Sequence, residues 1–278
     1  MTIRTATPAG RRAGPSEPVT SRMRPSGVLY VDFTCAWSYL ASRRAAVLQA
    51  SGGPVLDVRA VEHAARVGGT VADSLTRLRT TAEQVAGHLL TGEELPYALA
   101  GFVPHTKAAV SGYAEAYSAG VASRVRHLLF EGFWLHAVDL GDPYLVRTLL
   151  VDAVRSGSSP SEALREWGYA VDMTGRPITT TGCRLVRQWR AQWSELDVGG
   201  VPLLVIDDAA PLVGAAAVAW LGAELLARGI EDTPLPMAGS EPRSASEVEA
   251  LSWVSANANR WMRASQRAHR APLFPRAG

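Results

Sequence analysis

Hydrophobic positions near the start of the chain follow a strand pattern that changes abruptly to a helical one. The β-branched and aromatic content of Gly27 to Phe33 predicts a buried strand, and Trp37 to Gln49 predicts the helix that follows it. After a break at residues 51–54, Val55 to Val61 alternates well enough for a second strand. A strand, helix and strand of this size predict a right-handed parallel crossover, with functional groups at the carboxyl end of the first strand.

The middle of the chain, from about residue 70 to residue 196, shows helical periodicity and no convincing strand. Asp142 followed by Pro143 is typical of a helix start, because aspartate caps the first turn and proline suits the first helical position. We therefore predict an all-helical insertion between two parts of an α/β domain. The predicted helices span residues 71–91, 105–119, 121–138, 142–156, 160–167 and 182–195.

Strand patterning resumes at Val201 to Ile206 and continues briefly at Leu212-Val213, which predicts a hairpin before a helix over 215–228. Beyond residue 230 the chain is loop-like, and then helical from about 244 to 267. The pattern divides the chain into a disordered basic tail at 1–26, the first part of an α/β domain at 27–64, the helical insertion at 65–181, the second part of the domain at 182–230, and a C-terminal linker with a basic helix at 231–278.

Composition narrows the class of protein. Of the 278 residues, 47% are hydrophobic, which is enough for a sizeable core. Two cysteines are too few for a secreted scaffold held together by disulfides. The chain also has no C-x-x-C motif, the pattern that would indicate a structural zinc site. No apolar run has the length of a signal peptide or of a membrane span. We therefore expect a cytoplasmic protein with no membrane partner and no metal.

The net charge of +2 hides an asymmetry between the ends and the body of the chain. Residues 1–26 contain five Arg and one Glu, and residues 260–278 contain five Arg and no acid, which leaves the body at −7. A nucleic-acid binder would normally carry its basic patch on the folded body. We expect solvated tails and no nucleic-acid partner, and the basic C-terminal helix is a candidate contact for a homodimer.

Cys35 has the most obvious chemical use in the chain. It lies where the strand pattern changes to a helical one, and a thiol in the first turn of a helix faces unpaired N–H groups and the positive end of the helix dipole. Both favour the nucleophilic thiolate. Three residues on, where a dithiol redox centre has its second cysteine, the chain has Ser38, which cannot form a disulfide. The motif Cys35-Ala-Trp-Ser38 therefore predicts one-cysteine chemistry.

The order of the elements resembles the DsbA-like branch of the thioredoxin fold. The motifs that carry the resemblance are Asp32-Phe-Thr-Cys35-Ala-Trp-Ser38-Tyr-Leu-Ala41 and Gly199-Gly-Val-Pro202-Leu-Leu-Val-Ile206. They are similar to the active-site and cis-proline segments of FrnE-like and 2-hydroxychromene-2-carboxylate isomerase-like members, and the similarity covers roughly residues 27–230. The resemblance implies an α/β thioredoxin fold with a large all-helical insertion, and a thiol-dependent oxidoreductase, isomerase or S-transferase.

By this resemblance Cys35 matches the nucleophilic position, Ser38 the resolving position, and Pro202 the proline that follows a cis peptide bond. Such a bond would leave the backbone N–H and C=O of Val201 free to pair with an extended substrate. Net disulfide oxidation is not expected, because no neighbouring thiol could resolve a mixed disulfide. The isomerase and kappa-type S-transferase members match the motif better and use glutathione, although Gly214 is followed here by three alanines where those relatives have an Asp-Arg pair.

Several other residues have both a functional and a structural interpretation. Trp37 either shapes a substrate pocket above the thiol or simply packs. His105, at the mouth of an insertion helix that the resemblance places over the thiol, is a candidate acid, base or substrate contact, or a surface residue. Cys183 is either a distant resolving thiol or structural. His127 and Glu131 are one helical turn apart, but no third metal ligand is in register, so we expect a solvent-facing pair.

The sequence therefore predicts a thioredoxin-fold enzyme in which Cys35 attacks a disulfide or an electrophilic carbon of a small molecule. Ser38 and the helix N-terminus would stabilise the sulfur anion, and the insertion would supply a lid and an apolar pocket. No tightly bound cofactor is expected, and a low-molecular-weight thiol (glutathione or mycothiol) is the candidate co-substrate. The alternative is a fold that has lost turnover and acts as a binding or assembly module, as the missing second cysteine would also suggest.

Overall fold

Four strands form one sheet in the computed structural model, which describes residues 26–63, 71–95, 101–207, 209–231 and 252. The strands are β1 (Gly27–Val31), β2 (Leu56–Ala60), β3 (Leu203–Ile206) and β4 (Leu212–Val213). They lie in the order β2-β1-β3-β4, with β1 parallel to β2 and with β3 antiparallel to both of its neighbours. The predicted N-terminal tail and the predicted helix at 244–267 lie outside the described residues, except for Ser26 and Ser252.

Most of the helices lie in the insertion between β2 and β3. The helices of the described ranges are α1 (Ala36–Ala50), α2 (Val71–Ala86), α3 (Lys107–Ser118), α4 (Ala122–Trp134), α5 (Pro143–Arg155), α6 (Glu162–Trp167), α7 (Thr180–Glu195) and α8 (Ala215–Leu226). Strand order, strand direction and the placement of α1, α7 and α8 are those of the thioredoxin fold, and α2 to α6 form the inserted helices. The predicted fold class is therefore confirmed. Among the described residues, no helix is both long and apolar enough to cross a bilayer.

Side chains cap the starts of α5 and α7. Asp142 caps α5 as predicted, because its carboxylate accepts from the N–H of Tyr144 at 2.8 Å. The side chain of Thr179 accepts from the N–H of Gly182 at 2.9 Å, so α7 begins two residues before the predicted start. Helix α2 ends at Ala86 rather than at residue 91, and Gly87 follows it. The predicted helix therefore extended too far into the turn that follows α2.

A buried ion pair holds α1 against α8 and against the turn after α2. The guanidinium of Arg44 lies 2.6 and 2.8 Å from the two carboxylate oxygens of Glu93, and both side chains are almost fully buried. Arg44 also donates to the carbonyl of Val218 in α8 and to that of His88, each at 2.7 Å. Gly222 permits this approach, since a Cβ there would lie 2.7 Å from Nη1 of Arg44. Arg44, in the middle of α1, therefore fixes the position of this helix relative to α8 and to the turn after α2.

An aromatic cluster joins the insertion to the turn between β1 and α1. The ring of Phe33 contacts those of Tyr113 and Phe130, and the ring of Tyr39 contacts those of Phe130 and Trp134, with centroids 5.0 to 5.9 Å apart. The indole N–H of Trp134 donates to the carbonyl of Phe33 at 3.1 Å. All five rings are buried. Aromatic contacts of this geometry add to the stabilisation from burial, so α3 and α4 anchor the turn that carries Cys35.

Helices α3 and α7 pack together over the face of the sheet that carries the polar side chains of β2. The hydroxyl of Tyr117 in α3 donates to Asp57 at 2.9 Å, and Arg59 donates to Gln192 in α7 at 2.7 Å. Arg59 also pairs with Asp57 at 2.7 Å. These contacts place α3 and α7 beside the carboxyl end of β2, close to the segment that continues to His63.

Candidate thiol site

Cys35 occupies the N-cap position of α1, at the carboxyl end of β1. Its φ and ψ of −91° and 122° are extended, and its carbonyl accepts from the N–H of Tyr39 at 2.9 Å, which begins the helical ladder. Its own N–H donates to the carbonyl of Asp32 at 3.1 Å. The residue is half-buried and its thiol is free. The thiol therefore lies at the helix start and at the sheet edge where the sequence pattern places it.

The hairpin segment before β3 lies against the thiol. The peptide bond between Val201 and Pro202 is cis, the geometry that the family resemblance implies. The thiol of Cys35 lies 3.5 Å from the carbonyl oxygen of Val201, to which it donates. A carbonyl oxygen has two lone pairs, so the bond from the thiol leaves one of them for an extended substrate, and the expected substrate contact stays a prediction.

The environment of Cys35 favours the thiol over the thiolate. The pKa of Cys35 is raised to about 11; burial is the main cause, and the negative charge of Asp32 contributes to the rise. Hydrogen bonds from the backbone N–H and the hydroxyl of Ser38, and from the N–H of Trp37, act in the opposite direction on this pKa. The expectation that the helix start makes Cys35 a resting thiolate is wrong here, because removing the sulfur from water outweighs the donors of the first turn.

Ser38 connects the thiol of Cys35 to the buried backbone at Asp32. Its side chain is fully buried, its hydroxyl oxygen accepts from the N–H of Asp32 at 3.2 Å, and its hydroxyl faces the sulfur of Cys35. A hydroxyl that accepts from the backbone keeps its own proton available for the sulfur. Ser38 therefore serves as a fixed donor to Cys35, as the sequence suggested for this position.

The carboxylate of Asp32 forms hydrogen bonds with three segments of the chain near the thiol. It is 1% exposed, and one of its carboxylate oxygens accepts from the N–H and the hydroxyl of Thr34, each at 2.9 Å. The other oxygen accepts from the N–H of His63 at 2.7 Å and from the hydroxyl of Thr106 at 3.4 Å. A buried carboxylate needs such partners. Asp32 thus ties the turn after β1 to the chain after β2 and to the start of α3.

A cavity of about 170 Å³ opens beside the sulfur, and we call it the thiol cavity. Helix α2 supplies one wall, and the turn after β1 supplies the opposite wall. The lining residues are Asp32, Thr34, Cys35, Ala36, His63, Ser74, Arg77, Leu78, Thr81 and Val103. The insertion therefore covers the thiol, and the surface of the cavity is mainly apolar, as predicted. Carboxylate, hydroxyl, imidazole and guanidinium groups lie among the apolar walls.

The four predicted contact residues, Trp37, His105, Val201 and Pro202, do not line the thiol cavity, although the carbonyl of Val201 accepts from the thiol. The ring of Trp37 packs edge-to-face against His88, with centroids 4.8 Å apart, so only the backbone N–H of Trp37 takes part in the site. His105 is exposed and its ring lies beside the turn at Gly141, although its neighbour Thr106 reaches Asp32. The interpretation of His105 as the acid or base over the thiol is not supported by its position.

His63 is the imidazole that the structure brings to the thiol cavity. Its half-buried ring packs edge-to-face on Trp193 with centroids 5.9 Å apart, and its backbone is held by Asp32. The sequence contained a usable signal for it. Since β1 and β2 are parallel, residues that follow β2 lie at the same edge of the sheet as Cys35, and His63 follows β2 closely. Arg77 and Ser74 carried no comparable signal, because they reach the cavity only through the position of α2.

Cys183 belongs to a different part of the molecule. Its thiol is free, lies in the first turn of α7 and donates to the carbonyl of Pro177 at 3.7 Å. It does not line the thiol cavity but a second cavity beside β2, α3 and α7. A role for Cys183 as the resolving thiol of Cys35 therefore finds no support in the structure.

The predicted solvent-facing pair on α4 is wrong. His127 is half-buried and Glu131 is only 5% exposed, because α4 packs into the insertion core. Burial, together with the charges of Arg126 and Arg43, lowers the pKa of His127 to about 4, so its ring is neutral near pH 7. Within the described ranges, no group of three or more His, Cys, Asp or Glu side chains is arranged to hold a metal ion.

Comparison with known proteins finds similarity to solved structures. No protein-family model matches the chain, and no curated protein matches it. A candidate protein disulfide isomerase from Nitrosomonas europaea is 14% identical with a TM-score of 0.49, and covers 73% of this chain and 98% of its own. A 2-hydroxychromene-2-carboxylate isomerase is 19% identical with a TM-score of 0.47, over 73% of this chain and 96% of its own.

A third solved structure, a candidate DsbA oxidoreductase from Streptomyces coelicolor, is 17% identical with a TM-score of 0.46, over 79% of this chain and 96% of its own. These structures are what the chain is similar to, and the fold assignment rests on its own strand order and strand directions. Identities this low carry neither a substrate nor a mechanism to this chain, which rest on its own residues.

Proposed function

We propose that the protein is a single-cysteine enzyme that isomerises a small electrophilic molecule by reversible addition of the Cys35 sulfur. The observation that carries this proposal is the thiol cavity itself, where a cysteine at a helix start shares about 170 Å³ with an imidazole and a guanidinium. The volume is below the roughly 300 Å³ at the lower end of sites for drug-sized ligands, so the substrate is small. Nucleophile, base and carbonyl-binding cation are the parts that thiol addition requires.

The proton on Cys35 is the first obstacle to catalysis. With a pKa of about 11, only about one thiol in ten thousand is ionised at pH 7. A thiolate formed from such a thiol is also a stronger nucleophile than one of low pKa. A base beside the sulfur therefore matters more here than in a thiol that is ionised at rest. His63 lines the same cavity, and imidazole is the side chain used most often for such transfers.

In the proposed reaction, His63 takes the proton of Cys35 as the sulfur forms a bond to the β-carbon of a conjugated double bond. The electron pair of the double bond moves onto the conjugated carbonyl, whose oxygen Arg77 binds. Rotation about the resulting single bond, return of the electron pair and cleavage of the carbon–sulfur bond release the isomer. Cys35 then recovers its proton from His63. Nothing is oxidised or reduced, and no second thiol is consumed.

Ser38 would stabilise the anion that forms on sulfur. Its hydroxyl and N–H, together with the N–H of Trp37, already lower the pKa of Cys35 against the effect of burial. Because these donors are fixed before the reaction, they need no reorganisation when charge develops. The same serine prevents disulfide formation with Cys35, so isomerisation suits the site better than oxidation.

The proposed reaction uses no glutathione, although the family resemblance implies it. Helix α8 begins with Ala215, Ala216 and Ala217 after Gly214, so its first turn has no charged side chain. The volume of the thiol cavity is also small for a tripeptide. The sulfur in the proposed reaction is therefore that of Cys35 itself.

The proposal is tested by proton NMR with a panel of small cis-configured α,β-unsaturated ketones and acids. We expect conversion to the trans isomers that is abolished in Cys35→Ala, retained in Cys183→Ala and slowed about 10²- to 10⁴-fold in His63→Gln. His105→Gln is the matched histidine control and should keep the full rate. Conversion that survives in Cys35→Ala, or a panel that is neither converted nor attached to Cys35, would contradict the proposal.

A second candidate function is a binding module without turnover. The raised pKa of Cys35 and the hydrogen bond of the thiol to the carbonyl of Val201 favour this second candidate, because both are properties of a protonated, unreactive thiol. This candidate predicts that panel compounds protect Cys35 from alkylation without being converted or attached. It also predicts that His63→Gln leaves the alkylation rate of Cys35 unchanged.

A further inference from the structure

A second and larger cavity lies between the end of β2, the start of α3 and the first half of α7. Its volume is about 620 Å³, within the roughly 300–1000 Å³ range of small-molecule sites. We call it the basic cavity. Its lining residues are Ala60, Val61, Glu62, Lys107, Val110, Ser111, Arg176, Pro177, Cys183, Val186, Arg187 and Arg190. None of them lines the thiol cavity, although Glu62 precedes His63 directly.

The charge of the basic cavity is one-sided. Lys107, Arg176, Arg187 and Arg190 line it, against the single carboxylate of Glu62. None of the four cations forms an ion pair within 4.0 Å in the part of the chain that the structure describes. Four converging cations with one acid create a positive potential that concentrates anions.

Two of the cations are fixed in place by backbone carbonyls. Lys107 donates to the carbonyl of Thr174 at 2.9 Å, and Nε of Arg187 donates to the carbonyl of Cys183 at 3.3 Å. An ammonium has three N–H donors and a guanidinium has five, so each bond occupies only part of the group. The remaining donors of Arg187 have the fork geometry that matches a carboxylate.

The inner wall of the cavity is apolar. Val61 and Val110 are 2% and 4% exposed, and Pro177 and Val186 are half-buried beside them. An inorganic anion would use the cations but leave this wall covered only by water. A molecule that has an apolar body and one anionic end would use both parts.

We propose that the basic cavity binds an organic carboxylate with an apolar body. The carboxylate would lie between Arg187 and Arg190, and the apolar body would lie on Val61, Val110 and Val186. Binding here is independent of the reaction proposed for Cys35, and Cys183 lies within the cavity as a natural reporter of occupancy.

Calorimetric titration of the full chain with 2-naphthoate tests the charge requirement. We expect binding with a dissociation constant below about 1 mM, and binding about tenfold weaker in the Arg187→Gln/Arg190→Gln double variant. Arg184→Gln is the matched control, because Arg184 is exposed on the same helix but does not line the cavity. The neutral amide 2-naphthamide should bind more weakly than the acid. Equal affinity for acid and amide, or no loss of affinity in the double variant, would overturn the proposal.

Alkylation of the two cysteines tests the location without any substitution. With iodoacetamide and peptide mass spectrometry, 2-naphthoate should slow the modification of Cys183 at least about fivefold at saturation and leave the rate at Cys35 unchanged. Protection of Cys35 instead would place the ligand in the thiol cavity and overturn the proposal. Because the NMR assay of isomerisation reports only on Cys35, failure here and failure of the proposed function are distinguishable.

Discussion

The two cysteines of this protein lie in similar local structures and in opposite surroundings. Each is half-buried near the start of a helix, and each donates to a backbone carbonyl, at 3.5 Å for Cys35 and 3.7 Å for Cys183. Cys35 lies above a buried carboxylate and a web of fixed hydrogen bonds, whereas Cys183 lies in a cavity lined by four cations. A helix start alone therefore does not determine the chemistry of a thiol.

What separates them is the charge and the solvation that the rest of the fold brings to each sulfur. Burial and the charge of Asp32 raise the pKa of Cys35, and the donors of its helix turn only reduce this effect. The five predictions that follow alter one side of this comparison at a time. The other cysteine serves as an internal reference.

The largest effect should come from breaking the ion pair that fixes α1. Arg44→Met leaves the buried carboxylate of Glu93 without its partner, so the free energy of unfolding should fall by about 3–5 kcal/mol. Urea denaturation measures this fall, and alkylation of Cys35 should accelerate relative to Cys183. The double variant Arg44→Met/Glu93→Met is the control and should recover much of the loss. A single variant within about 1 kcal/mol of the wild type would contradict the role of the pair.

Asp32→Asn should make the thiol of Cys35 more acidic and the protein less stable. Removing the negative charge lowers the pKa of Cys35, so its alkylation at neutral pH should be faster while that of Cys183 is unchanged. The amide has one acceptor oxygen where the carboxylate has two, and all four donors of the web remain buried or half-buried. The expected loss in the free energy of unfolding is about 1–3 kcal/mol. A slower reaction of Cys35 would contradict the assigned sign.

Ser38→Ala should act on Cys35 in the opposite direction. It removes a hydroxyl that lowers the pKa of Cys35, so alkylation of this cysteine should slow. It also leaves the N–H of Asp32 without an acceptor, at a cost of about 1–2 kcal/mol of unfolding free energy. Ser42→Ala is the matched control, because the buried hydroxyl of Ser42 has no hydrogen-bond partner in the structure. If both variants behave alike, the proposed role of Ser38 is refuted.

On the side of Cys183, the carboxylate of Glu115 should give stability a small pH dependence. Glu115 accepts from the N–H and the hydroxyl of Thr179 at the start of α7, and burial raises its pKa. Because the folded state then holds this proton more tightly than the unfolded state, its contribution should favour folding increasingly as the pH falls from about 7 to about 4. Relative to Glu115→Gln, the wild type should gain stability over that window in parallel urea titrations. Curves that stay parallel would contradict the prediction.

The smallest effect should be a charge preference in alkylation. Iodoacetate is an anion and iodoacetamide is neutral. Because four cations line the cavity with Cys183, the rate with iodoacetate divided by the rate with iodoacetamide should be higher at Cys183 than at Cys35. Added salt should reduce the difference, because it screens exposed charges. Equal ratios at the two cysteines would show that the four cations of the basic cavity do not attract an anion to Cys183.

The contrast also shows which features a sequence can predict. The N-cap position of Cys35, the hairpin at Pro202 and the inserted helices follow from local patterns, because period changes and turn residues act over a few positions. The choice of His63 over His105 depends on which loops the parallel strands bring together. The pKa of Cys35 depends on burial that α2 and the hairpin complete from distant parts of the chain. The burial of Glu131 likewise follows from the packing of the whole insertion and not from the one-turn spacing.

The role of His63 as the base for Cys35 is tested most directly by the pH dependence of iodoacetamide alkylation at Cys35, measured in Cys183→Ser with and without His63→Gln. If His63 is the base, the rate at neutral pH should be well above that of the few thiolates present with a pKa of about 11, and His63→Gln should lose most of this rate. A single rise toward pH 11 that is identical in both variants would contradict this role. Cys35 would then be a protonated thiol without a base, and the proposed catalysis would be wrong.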